Sequence, residues 1–194
     1  MLIFSCAALF PLQWPPVRPV NLRHPALLSQ HTYLLASPVG PLELTADDTA
    51  LRSLRFAAAT VTVPDLPPPS PLLAEAVRQL TEYFAGERST FDLPLAPEGT
   101  TFQQRVWAEL RMLPYGVTTT YSALARRLGD ALAVRAVGRA NATNPLAIVV
   151  PCHRVVGTGG KLQGFAGGVE VKQWLLRHEA RKVPAQGLFA EVPA

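Results

Sequence analysis

The sequence predicts an α/β (α+β) protein in two parts, a small antiparallel sheet with one helix and then a mainly helical half containing a helix-turn-helix. Three observations predict it. Between residues 32 and 56, short apolar runs are separated by turn residues, the pattern of a small meander. From residue 100 onward, apolar residues recur at helical spacing. Proline-rich stretches separate these regions and read as connectors.

Residues 1–30 show neither period, and read as an extension that is either disordered or the product of a start codon placed too far upstream. Residues 31–97 form the first unit. Tyr33, Leu34 and Leu35, then Leu42 and Leu44, then Leu51, Leu54 and Phe56 mark three strands, divided by Pro38-Val39-Gly40-Pro41 and Asp47-Asp48. A stiff connector, VPDLPPPSP over 63–71, leads to a helix over 72–85 that Gly86 stops. Residues 93–97 (LPLAP) form an extended link.

The second unit covers 98–182. Thr100 or Thr101 caps a helix bearing Phe102, Val106, Leu110 and Leu113, broken at Pro114-Tyr115-Gly116. Thr118, Thr119 and Thr120 cap a short helix through Leu124 and Leu128, ended by Gly129. A helix over 131–142, rich in small residues and arginine, completes the helix-turn-helix, and Asn144-Pro145 terminates it. Residues 148–150 predict a short buried strand running into Pro151-Cys152-His153-Arg154. A glycine-rich loop follows, and the last helix places Val171, Trp174, Leu175 and His178 on one face. Residues 183–194 are a tail.

Hydrophobic residues make up 48% of the 194 and charged residues 16%, a globular composition rather than a disordered one. The stretch from Met1 to Pro16 is broken by prolines and falls short of the roughly 20 apolar residues a bilayer span requires. The first basic residue is Arg18, so a secretory n-region is lacking. The expectation is a cytoplasmic, nucleoid-associated monomer with no membrane partner. Net charge is −3 over residues 1–99 and +7 over 100–194, pointing to an anionic partner for the second half.

Cys6 and Cys152 cannot form a disulfide framework. Cys152 is either a reactive thiol, a metal ligand or a buried filler. As a nucleophile it needs help, because an ordinary thiol is only a few per cent thiolate at neutral pH. His153, His178, Glu179 and Arg154 are the available helpers. On an extended segment adjacent side chains face opposite ways, so a bridging water between Cys152 and His153 is the easier geometry. Glu179 could orient the imidazole in the manner of a triad. Cys6, His24 and His31 make a poor partial ligand set, and neither a metal nor a cofactor is expected.

The run VVPCHRVVG, preceded by NPLAI and followed by GFAGG and KQWLLRHE, resembles the O6-alkylguanine-DNA alkyltransferase family. The resemblance extends upstream through TFQQRVWAELRMLPYGVTTTYSALARRLG and AVRAVGRANATNP, covering residues 100–180. The first half is similar in pattern, with EYFAGER and FDLPLAP. The resemblance implies a ribonuclease H-like N-terminal half and a winged-helix-like C-terminal domain. It further implies direct-reversal repair of O6-alkylguanine, and O4-alkylthymine, in double-stranded DNA, with Cys152 as a single-use acceptor.

By that resemblance His153 activates Cys152 through a water, Glu179 orients His153, Tyr121 donates to the departing guanine ring, and Asn144 ties the helix-turn-helix to the active-site segment. Arg135 matches the arginine that enters the stack when the nucleotide is flipped out. Ala133, Ala136 and Gly138 let the helix approach the minor groove, and Arg126, Arg127 and Arg139 contact phosphates. Main-chain groups near Cys152 and Val155 would recognise the exocyclic amine, and the donor near Ala166 would face O6. The sequence departs from the pattern at Phe165, often tyrosine, at Ala166, serine in some members, and at Ala147, frequently proline. These changes touch the pocket's preference among alkyl groups. The alternative is an alkyltransferase-like lesion-binding protein, which would lack the cysteine.

Overall fold

The computed structural model describes residues 29–182, so Cys6, His24, most of the extension and the tail lie outside the described residues. Strands β1 (His31–Leu35), β2 (Leu42–Ala46) and β3 (Leu51–Phe56) form an antiparallel sheet in sequence order, with Tyr33 opposite Leu44 and Leu44 opposite Leu54. Alternation puts Leu42, Leu44 and Ala46 on the buried face of β2. Helix α1 (Pro71–Phe84) packs there through Leu73, Ala76, Leu80 and Tyr83. Ser70 caps it by accepting from the Leu73 amide at 3.3 Å, and Pro71 takes the first turn, where its missing N–H is harmless. Gly86 follows it at φ +74°, in the left-handed region that favours glycine.

The outer edge of β3 does not face water. The Leu51 amide donates to the Pro94 carbonyl at 2.8 Å, and the Leu54 amide donates to the Pro145 carbonyl at 2.8 Å. The Ala147 amide returns a bond to the Leu54 carbonyl at 3.0 Å. The interdomain link and the segment leading to Cys152 therefore both dock on the N-terminal sheet. One hydrophobic core runs from Leu44 and Leu80 through Trp107 and Leu124 to Cys152 and Leu175.

In the second half, α2 (Thr101–Arg111) starts with a capping box between Thr100 and Gln103. The helix-turn-helix is α3 (Tyr121–Arg127) and α4 (Val134–Ala142), packed together across a turn with Gly129 at φ +88°. Helix α4 begins three residues later than the sequence predicts; Ala133 precedes it and offers no capping side chain. A two-residue parallel pair unforeseen in the sequence joins β4 (Thr119–Thr120) to β5 (Val155–Val156). Helix α5 (Val169–Ala180) is the last element among the described residues.

The expected strand over 148–150 is absent. Ile148 has φ +70°, and the Val149 and Val150 amides bond back to the Ala147 and Leu146 carbonyls, both at 2.8 Å. A short apolar run shows only that a segment is buried; here it coils into turns rather than extending. A β-branched residue in the left-handed region is a strained conformation, held by the complete burial of Ile148.

Candidate active site

Cys152, His153 and Arg154 occupy one turn of 3-10 helix, all buried. This corrects the extended geometry expected from the sequence, and the alternation argument for a bridging water no longer applies. Tertiary contacts decide how the three side chains diverge. Cys152 is a buried free thiol. Burial pushes its pKa up, while the Asn144 side chain and the Lys172 ammonium pull it back down.

His153 is fully buried and its Nε2 lies 2.8 Å from Glu179 Oε1. Burial lowers the His153 pKa, against the pull of Glu179. With the carboxylate as acceptor, Nε2 carries the hydrogen and Nδ1 is the basic nitrogen. Nδ1 is buried and takes no hydrogen bond among the described residues.

Glu179 is the hub. Its Oε1 also accepts from Arg154 Nη2 and the Tyr83 hydroxyl, each at 2.9 Å. Its Oε2 accepts from Arg154 Nε at 2.8 Å and the Gly116 amide at 2.9 Å. Burial alone would raise the carboxyl's pKa, but His153 and Arg154 outweigh it and hold Glu179 well below the usual range. Arg154 is further fixed by donating to the Leu113 carbonyl at 2.6 Å and by lying 5.6 Å from the centre of the Tyr115 ring.

Tyr121 stands at the first position of α3, after the Thr120 cap. The β4–β5 pair brings it beside the Cys152 segment, and burial, with Cys152 nearby, raises its pKa. Asn144 clamps the turn before Cys152: its Nδ2 donates to the Val150 carbonyl at 2.8 Å, and its Oδ1 accepts from the Leu146 amide at 3.0 Å. Ala147 and Val155 are buried. Phe165 meets Phe56 edge-to-face at 5.3 Å, so the glycine-rich loop leans on β3, while Ala166 is exposed.

The α4 residues divide by face. Arg135, Ala136 and Arg139 are exposed, Ala133 and Gly138 are half-buried, and Val137 and Ala140 pack inward. Arg126 is exposed on α3. Arg127 is set apart from these, because its Nη2 pairs with Glu109 at 2.9 Å.

Three residues were missed as site members in the sequence. Lys172 is completely buried, donating from Nζ to the Val155 carbonyl at 2.7 Å. The buried residues of α5 are Lys172, Leu175, His178 and Glu179, whereas the predicted face held Val171 and Trp174, which are only half-buried. The i, i+3, i+7 spacing of Lys172, Leu175 and Glu179 was the available signal. Tyr83 and Asn141 are the others; Asn141 is buried, with Nδ2 3.4 Å from the Cys152 carbonyl.

The comparisons with known proteins agree with this layout. Residues 31–97 match the 6-O-methylguanine DNA methyltransferase ribonuclease-like domain, and residues 101–181 match the DNA binding domain of the same family. The chain belongs to the O6-alkylguanine-DNA alkyltransferase family. Among relatives of this alkyltransferase, the methylated-DNA–protein-cysteine methyltransferase of Methanosarcina acetivorans is 47% identical over 149 residues, 75% of this chain and 96% of the relative. That of Mycobacterium tuberculosis is 45% identical over 157 residues, 80% of this chain and 95% of the relative. The crystal structure of Mycobacterium tuberculosis O6-methylguanine methyltransferase superimposes with a TM-score of 0.72 at 44% identity, covering 81% of this alkyltransferase and 96% of that chain. Mycobacterium tuberculosis OGT in complex with DNA gives 0.70 at 46% identity, covering 80% and 96%.

Proposed function

We propose that this alkyltransferase repairs O6-alkylguanine in duplex DNA by moving the alkyl group irreversibly onto Cys152, one transfer per molecule. The observation that carries the reading is the buried grouping of Cys152, His153 and Glu179. Cys152 is a buried free thiol next in the chain to His153, whose Nε2 is held by Glu179 and whose Nδ1 takes no hydrogen bond among the described residues. The Cys152 proton passes through a bridging water to His153 Nδ1, and the Glu179 carboxylate stabilises the imidazolium. The sulfur attacks the alkyl carbon, the C–O6 bond breaks, and its electron pair leaves with guanine. The Tyr121 hydroxyl, kept protonated by burial, donates to the departing ring. A thioether is a poor leaving group, and no residue of the site offers a route back to the thiol.

The target carbon is unreachable inside a stacked duplex, so the nucleotide must flip out. Arg135 on the exposed face of α4 fills the gap, with Ala133, Ala136 and Gly138 allowing close approach in the minor groove. Arg126 and Arg139 bind phosphates, and Arg127, paired with Glu109, contributes less. The protein acts as a monomer on the nucleoid. O4-alkylthymine is a second substrate of the same pocket.

Incubation with duplex DNA containing O6-methylguanine, followed by intact-mass measurement and peptide mapping, tests the reading. One methyl group on the Cys152 peptide is expected; folded protein without that adduct overturns it. Cys152→Ala removes transfer and keeps DNA binding. Arg135→Ala slows repair in duplex DNA far more than transfer from free O6-benzylguanine.

A further inference from the structure

The N-terminal half contributes one side chain to the buried proton chain, the hydroxyl of Tyr83 on α1, and it lands on the same oxygen as His153. Tyr83 is fully buried and cannot swing away. Its ring packs against Phe84, Phe91 and Tyr115, with centroids 5.4, 5.5 and 6.1 Å apart, and against His178 at 5.3 Å. His178 Nε2, itself stacked on Trp174, lies 2.7 Å from the Tyr83 carbonyl and pins the end of α1.

We propose that Tyr83 is a positioning residue for alkyl transfer, its hydroxyl bond to Glu179 setting how strongly the Glu179–His153 pair holds a proton. The proposal rests on the alkyl-transfer reading above. Glu179 Oε1 divides its negative charge among three donors, Arg154 Nη2, His153 Nε2 and the Tyr83 hydroxyl. Of these, Arg154 is permanently charged and His153 is the group that changes state during the reaction. Withdrawing the Tyr83 hydroxyl concentrates charge on the oxygen that faces His153 and stabilises the imidazolium. The other titratable or charged groups around the pair are Tyr115, Lys172 and Cys152. Burial and the Glu179 charge push the Tyr83 pKa well above its ordinary value, so the phenol remains a donor throughout.

Two variants of the full chain test this: Tyr83→Phe, and 3-fluorotyrosine introduced at position 83 alone, which makes the hydroxyl a stronger donor. The His153 ring is titrated by nitrogen NMR, and the pH–rate profile is measured for benzyl transfer from O6-benzylguanine to Cys152. Tyr83→Phe should raise the His153 titration and the acid limb of the rate profile by roughly half to one pH unit, as the loss of one hydrogen bond among several implies. Fluorotyrosine should move both downward. A purely structural role predicts loss of stability without this opposite pair of shifts. Unchanged titrations, or shifts in one direction for both variants, overturn the proposal. If Tyr83→Phe fails to fold, the fluorotyrosine shift decides it alone. A wild-type protein that transfers no benzyl group overturns the alkyl-transfer reading instead, while the NMR titration still judges the Tyr83 contact.

Discussion

Replacing Glu179 by glutamine should be among the most damaging isosteric changes available in this fold. The carboxylate accepts five hydrogen bonds, from Tyr83, His153, Gly116 and twice from Arg154. A glutamine amide keeps one acceptor and turns the other into a donor. If its NH2 takes the place of Oε2, it faces the Gly116 amide and Arg154 Nε; if it takes the place of Oε1, it faces Tyr83, His153 and Arg154 Nη2. In the first case two obligate donors meet a donor; in the second Arg154 Nη2 does, while Tyr83 and His153 must reverse their bonds. In both, the buried Arg154 guanidinium loses its counter-charge. Breaking a buried pair by neutralising one partner costs about 3–5 kcal/mol. Set against a total stability of roughly 5–15 kcal/mol, that is a large fraction. The corresponding drop in Tm is on the order of 10 °C. Urea unfolding monitored by tryptophan fluorescence, with Tm by calorimetry, measures it. Glu179→Gln combined with Arg154→Leu, which removes the orphaned charge, should recover part of the loss. A cost below about 1 kcal/mol for the single variant would refute the view of Glu179 as an obligatory buried hub.

Three further outcomes follow from the same geometry. Folded His153 has a pKa below its ordinary 6.5, so the unfolded chain binds more protons as pH falls beneath that value. Glu179, depressed in the folded state, adds stability that is present above the usual carboxylate range and lost as pH falls toward its folded value. Tm should therefore decline from pH 7 to pH 5, and His153→Asn should flatten the slope in that window. Lys172→Met should raise the Cys152 pKa further, because the ammonium now pulls it down. Alkylation of Cys152 by iodoacetamide should slow several-fold at neutral pH and much less at alkaline pH. Finally, a Cβ at Gly167 would lie 2.9 Å from the Phe56 ring. Gly167→Ala should cost about 1–3 kcal/mol by overpacking, and should change the relative rates for methyl and benzyl transfer by displacing the loop that carries Phe165.

The grouping of the candidate site was partly legible because several of its residues lie in one contiguous run. Cys152, His153 and Arg154 are adjacent, and Glu179 lies on the last helix at a position read as its partner. The three strands of the N-terminal sheet and the helices α1 to α5 were also legible, with ends displaced by only a few residues, since alternation and helical spacing are local signals, whereas the β4–β5 pair was not. The conformation around Cys152 was not. The 148–150 run obeys strand composition yet turns back on itself, because docking Pro145 and Ala147 on β3 and clamping Val150 with Asn144 leave no length to extend. Lys172 was hidden for a related reason: a lysine on an amphipathic helix ordinarily faces water, and the carbonyls of Val155, 2.7 Å away, and Gln163, 3.4 Å away, make its burial tolerable.

By itself, then, the sequence determined the order of elements, the two-part division and the cysteine with its neighbouring histidine, all of which depend on residues close together in the chain. The tertiary structure alone decided which groups share the Glu179 carboxylate. Tyr83 is 96 residues from it and Gly116 63 residues away, and no local pattern records either contact. It also decided that Arg127 pairs with Glu109 while Arg135 stays exposed. Burial is set by how whole elements pack, and a charged atom removed from water must find its partners wherever the fold brings them.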